Sequence, residues 1–180
     1  MLFRSEEWEL KVATPDPGSD APQITCVFSP IGDISSLYAV FEVNQRSLPS
    51  FSPGGMQLQL WYGDTPLVRT DAEATGVFHE SDETVTWTQL LEVSGDQLRF
   101  AVVDGHSETW GDFGGDELKI DLPIGLANLN QYDPQVSVRH SAVGYASNRV
   151  KSLTLKRVRI VARTGETAED TTVRVVHALP

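Results

Sequence analysis

The chain has 180 residues, of which 25 are acidic and 14 basic, for a formal net charge of −11. Its length predicts one domain, residues 1–180, and its 40 % hydrophobic content is ordinary for a packed globular core. This acidity excludes a general nucleic-acid binder, which needs clustered Lys and Arg, and no apolar run approaches the ~20 residues of a membrane-spanning helix.

Glu6 and Glu7 stand where the apolar core of a secretion signal would lie, so the chain as written is not expected to be a secretory precursor. Localisation stays open on the sequence. The single cysteine, Cys26, excludes an intramolecular disulfide.

Period-2 alternation then dominates, which is the mark of half-buried strands. Trp8, Leu10 and Val12 alternate with Glu9 and Lys11. After a Pro15, Pro17 and Gly18 break come Ile24, Cys26 and Phe28, then Leu37, Ala39, Phe41 and Val43. The Ser50 to Gly55 stretch reads as a second break. Met56, Leu58, Leu60 and Tyr62 form one face of the next strand, with Gln57, Gln59 and Trp61 on the other, and Gly63-Asp64 begins a turn. Val85 and Trp87 alternate with threonines. Ser94-Gly95-Asp96 predicts a hairpin joining Leu91–Val93 to Leu98, Phe100 and Val102.

Leu118, Ile120 and Leu122 follow. The segment from Ile124 to Pro134 has the weakest pattern and reads as a loop or a single helical turn. Val136 and Val138 predict a short strand that His140 ends. Leu153 and Leu155 share one parity, but Val158 and Ile160 share the other, with Lys156 and Arg157 at the switch. One extra residue flips every later side chain, so a β-bulge there would return both sets to the core. The alternative is a strand that crosses between sheets. Val173 and Val175 close the series. Many short alternating strands with regular turns predict an all-β fold, a two-sheet antiparallel β-sandwich, jelly-roll-like.

Several constellations could carry chemistry. Residues 103–117 hold five acids and four glycines. Calcium takes several oxygen ligands, so Asp104, Asp112 and Asp116 are the candidate metal ligands, although the spacing does not match an EF-hand. Trp61 has the wrong parity for the core and shares a face with Gln57 and Gln59. An aromatic beside amides suits stacking of a sugar ring, with Tyr38 from the neighbouring strand and Trp110 as further candidates. The competing reading covers both sheet faces and buries Trp61, because Trp is highly buried on average. His106 or His79 with nearby carboxylates could serve acid–base chemistry, but no Gly-x-Ser-x-Gly, His-Glu-x-x-His or Walker pattern occurs.

Charge is not evenly spread. Residues 1–146 carry 22 acids and 7 basic residues, and residues 147–180 carry 3 acids and 7 basic residues. Arg157 and Arg159 predict an outward cationic stripe. It could meet an anionic partner, or pair with acids of the same sheet.

The sequence thus leads to a non-catalytic binding or interaction module, with a carbohydrate or a protein as partner and calcium as its one candidate cofactor. A hydrolase or lyase built on His106 or His79 is the second expectation. An assembly protein that uses strand edges or the arginine stripe is the third.

Overall fold

A computed structural model describes residues 3–13, 22–43, 55–72, 82–124, 126–145 and 147–180. Nine strands come first: β1 (Phe3–Val12), β2 (Gln23–Phe28), β3 (Leu37–Val43), β4 (Met56–Tyr62), β5 (Thr65–Ala72), β6 (Thr84–Ser94), β7 (Gln97–Ser107), β8 (Gly111–Phe113) and β9 (Lys119–Pro123). Helix α1 (Pro134–His140) precedes β10 (Ala142–Tyr145), β11 (Val150–Val161), β12 (Thr167–Asp170) and β13 (Arg174–Ala178). The breaks expected at Pro15 to Gly18 and at Ser50 to Gly54 lie outside the described residues, as does His79.

Two antiparallel sheets pack face to face, as the alternation requires. The first has the order β12-β11-β1-β6-β7-β8, with β13 also on β11 and β9 also on β7. The second has the order β10-β2-β3-β4-β5. Strands β2 to β5 form a meander in one sheet, and β6 to β9 stay in the other, with β8 and β9 both paired to β7. Strand β10 then returns beside β2, and β11 beside β1, which itself lies next to β6. Consecutive strands therefore do not interleave between the sheets as in a jelly roll, so the sandwich stands without that finer resemblance.

The inward residues are those that the alternation picked out. Trp8 and Trp87 face each other across β1 and β6, with ring centroids 6.4 Å apart and planes within 4°. Phe41 of the opposite sheet meets Trp87 edge-on at 5.6 Å, and Phe28 meets Phe100 in the same way at 5.5 Å. Such aromatic pairs add ~0.5–1.5 kcal/mol beyond the area they bury.

The parity slip in β11 is a bulge. Glu7 pairs Arg157 and Trp8 pairs Leu155, which leaves Lys156 as the extra residue. Leu153, Leu155 and Val158 are all buried as a result, and Ile160 packs against the core. The strand stays in one sheet throughout.

One expected strand is a helix. Val136 and Val138 belong to α1, where Asp133 caps the N-terminus by accepting from the Gln135 N–H at 2.9 Å and Pro134 opens the first turn. The helix packs on β2 and touches β13, so it closes one flank of the sandwich. The other flank is closed by β5 packing on β9 and on the 3₁₀ turn at Gly115–Leu118.

At the α1 flank the interior turns polar. Arg4 and Glu6 share the inward parity of Trp8, and both are buried. Glu6 Oε1 accepts from Tyr132 Oη and from Ser137 Oγ, each at 2.5 Å, and Oε2 accepts from Trp8 Nε1 at 3.1 Å. Arg4 donates to the Leu129 carbonyl at 3.2 Å and lies 4.6 Å from the Tyr132 ring centre. Buried polar groups need such partners, and these tie the 126–141 segment to β1. Among the described residues no helix is long and apolar enough to cross a membrane.

Candidate functional site

Gly63 and Asp64 make the turn that sends β4 back as β5, with Gly63 at φ +54° where a side chain would be strained. The hairpin builds rows on the outward face of the second sheet. Tyr38, Trp61 and Pro66 form one row. Val40, Gln59 and Arg69 form the next, and Glu42, Gln57 and Asp71 the third. Leu67 is the extra residue of a second bulge, because Leu60 pairs Val68 while Trp61 pairs Pro66. Trp61, Gln59, Gln57 and Arg69 line a groove of about 320 Å³ between the two strands, with Leu67 and Val68 exposed beside it. That volume lies within the ~300–1,000 Å³ range of small-ligand sites.

A directed hydrogen-bond chain fixes the aromatic. Trp61 Nε1 donates to Gln59 Oε1 at 2.9 Å. Gln59 Nε2 donates to Gln57 Oε1 and, at 2.6 Å, to Glu42 Oε2. Gln57 Nε2 donates to Asp71 Oδ1 at 2.5 Å. The chain runs from one donor-only group, the indole, to two acceptor carboxylates, so no amide needs to flip. Burial raises the Glu42 carboxyl to about 7. Burial also raises the Tyr38 phenol, helped by the charge of Asp64, and its hydroxyl donates to the Gly63 carbonyl at 3.1 Å.

The structure thus brings four of the candidate ligand residues, Trp61, Gln57, Gln59 and Tyr38, onto one face. Trp61 is half-buried at the groove, whereas Gln57 is only 1 % exposed and acts from beneath. Trp110 is not part of this group. It follows β7 in the turn to β8, in the other sheet, and packs against the core. Arg69 and Glu42 were missed by sequence reading. For Glu42 the signal was present, since it shares outward parity with Tyr38 on the same strand. The strand that carries Arg69 was not recognised at all.

The acidic segment is arranged differently from the expected calcium loop. Asp104 has φ +52° at an irregularity between the rows of Thr86 and Thr88, and it faces Glu7, Glu9 and Lys156 on the outer surface of the first sheet. Asp112 accepts from His106 Nδ1 at 2.7 Å, and Asp116 pairs with Lys119 at 2.6 Å. Among the described residues no three His, Cys, Asp or Glu side chains form a group that could hold a metal ion. Two of the segment's four glycines answer to packing. A Cβ on Gly105 would stand 2.3 Å from the Phe113 ring, and one on Gly114 would stand 2.7 Å from the Val102 carbonyl oxygen.

The arginine stripe is neutralised within its own sheet. Arg157 donates to Glu7 and lies 3.6 Å from Glu169, and Arg159 lies 3.9 Å from the same Glu169. Cross-strand pairing within the sheet, one of the two readings of the stripe, is thus present, while the two guanidinium side chains stay 40 % and 46 % exposed. His106 and Asp112 both line a second groove, of about 600 Å³, with 60 % and 91 % of their side chains exposed. His177 donates to the Val150 carbonyl at 3.1 Å, and His140 ends α1 rather than a strand.

Comparison with known proteins finds no matching family model, no matching curated protein and no matching solved structure.

Proposed function

We propose that this domain is a non-catalytic binding module whose β4–β5 groove takes a saccharide, with the sugar ring stacked on Trp61. The observation that carries this reading is the half-buried indole at the groove, held in one orientation by Gln59. A preset aromatic face lowers the ordering cost of binding, and stacking suits the apolar face of a pyranose. The mixed lining of indole, aliphatic side chains and a few convergent polar groups is the usual chemistry of small-ligand sites. Gln57 and Glu42 serve as positioning residues, and Tyr38 flanks the ring. Asp104, Asp112 and Asp116 lie outside the groove, and this reading makes no use of calcium.

Isothermal titration against neutral and acidic oligosaccharides tests it. Saturable binding that falls at least about tenfold in Trp61→Ala, with the thermal midpoint kept, is the expected result. Equal binding by the variant, or no binding to any oligosaccharide, overturns it.

A second reading follows from the oriented pair of His106 and Asp112 in its own groove. A histidine held by a carboxylate is the arrangement of a general base, and this reading makes the domain a hydrolase or lyase. It predicts turnover that His106→Gln abolishes. The exposure of both side chains counts against it, because general bases act in sites that exclude water.

A further inference from the structure

We propose that Arg69 makes the β4–β5 groove selective for saccharides that carry a carboxylate, of the uronic acid class, with the carboxylate seated on the guanidinium and the adjoining ring on Trp61. The inference rests on the saccharide-binding reading and names the ligand within it.

Most polar atoms that line the groove are already spent on one another. Gln59 Oε1 takes the indole N–H, and its amide nitrogen serves Glu42 and Gln57. Gln57 is buried and donates to Asp71. Arg69 differs. Its side chain is 58 % exposed and is held only by a loose ion pair, Nε to Asp71 Oδ2 at 3.7 Å, which an incoming carboxylate would have to displace or share. Arg99 and Arg174 are held otherwise, since Arg99 donates to Asp121 at 2.8 Å and Arg174 to Asp170 at 2.5 Å. A guanidinium presents five donors in a planar fork, which matches a carboxylate bidentately and a lone hydroxyl poorly.

Register sets the spacing. Arg69 lies directly across from Gln59, one row from Trp61. Arg69 is therefore a diagonal cross-strand neighbour of Trp61, ~7–8 Å away by backbone, within reach of its long side chain. The Leu67 bulge places the extra residue between the Trp61 and Gln59 rows, on the β5 side of the groove.

Calorimetric titration compares three probes of equal length: a neutral xylo-oligosaccharide, an oligogalacturonate and a sulfated oligosaccharide. The wild-type chain is expected to bind the oligogalacturonate at least about tenfold more tightly than either of the others. Arg69→Gln is expected to lower the oligogalacturonate affinity at least about tenfold more than the neutral affinity, with the thermal midpoint kept, and Arg69→Lys to restore only part of the preference. Equal affinity for neutral and carboxylated probes, equal affinity for the sulfated probe, or an unchanged preference in Arg69→Gln overturns the assignment and leaves the Trp61 groove intact. Absence of binding to all three probes overturns both.

Discussion

The indole of Trp61 donates at 2.9 Å to the amide oxygen of Gln59, two residues away on the same strand and the same face. Gln59 is fixed in turn by Glu42 and Gln57. An outward tryptophan on a sheet would ordinarily rotate among staggered conformers. Here the amide chain removes that freedom before any ligand arrives. Replacing Gln59 by Ala should therefore weaken saccharide binding about three- to tenfold, with little effect on stability. Titration calorimetry with thermal melts checks both halves. A variant that binds as tightly as wild type would show that the relay does not position Trp61.

Glu42 gives that relay a pH response. Burial raises its carboxyl to about 7, so the folded protein carries it protonated below that value and ionised above it. Ionised Glu42 is the better acceptor for Gln59 Nε2, as charge-assisted hydrogen bonds are the stronger ones. The Trp61 indole N–H resonance is expected to titrate with a midpoint near 7. In Glu42→Gln the step should vanish. A step that survives in the variant assigns it to another group.

Stability is expected to depend on pH through Glu6. Burial raises its carboxyl from 4.5 to about 7, against the lowering pull of Ser137, Tyr132, Trp8 and Arg174. Arg4 and Cys26 complete its surroundings, with Arg4 stacked on Tyr132 and Cys26 feeling the charge of Glu6. The folded state therefore holds a proton that the unfolded chain releases between pH 4.5 and about 7. Stability falls as pH rises through that window and returns on acidification. Asp170, held low by Arg174 and Thr172, acts in the opposite sense and loses its contribution only under strongly acid conditions. Urea unfolding at pH 5.5 and pH 8 should differ by on the order of 2 kcal/mol in the wild type. Glu42, also raised to about 7, acts in the same sense, so Glu6→Gln should remove roughly half of the difference and Glu42→Gln part of the rest. A wild type more stable at pH 8 would contradict the assignment.

Much of this fold was legible because alternation reports facing directly. Trp8, Leu10, Phe41, Leu58, Trp87 and Phe100 were placed inward by parity alone, and all are buried. The bulge at Lys156 was legible for the same reason, since two apolar sets out of phase leave few other ways to bury both. Strand β5 was not, because Pro66 and a polar, exposed run give an edge strand no buried face to alternate with. Helix α1 was misread because Val136 and Val138 mimic a strand over so short a stretch, although Asp133-Pro134 carries a helix-start signal. Trp61, Gln57 and Gln59 could be grouped because they share one strand. Arg69 and Asp71 could not join them without knowing that β5 folds back on β4. Of the three aspartates of the acidic segment, Asp104 and Asp112 line one groove while Asp116 pairs with Lys119, because sequence proximity does not set side-chain direction across a hairpin and an irregular turn.

The bulge makes a sharp prediction about length. Deleting Lys156 forces either Leu153 and Leu155 or Val158 and Ile160 to face solvent. Loss of more than about 4 kcal/mol, or failure to fold, is expected. The substitution Lys156→Thr keeps the register and should stay within about 1 kcal/mol of wild type. Denaturant unfolding of both variants decides it, and a stable deletion variant would remove the register argument.

The two kinds of tryptophan should behave oppositely. Trp87 is 1 % exposed against Trp8 and Phe41, so Trp87→Ala should lose about 3–5 kcal/mol. Trp61→Ala should lose about 1 kcal/mol or less, because its face is open to the groove. Similar losses in both would place Trp61 in the structural core rather than in a site.

The most direct measurement is a nuclear magnetic resonance titration of the four indole N–H signals with an oligogalacturonate, with Trp61 assigned from the spectrum of Trp61→Phe. A saturable shift of the Trp61 signal, with those of the buried Trp8 and Trp87 unmoved, is the predicted result. An unmoved Trp61 signal at saturating oligosaccharide would contradict the account.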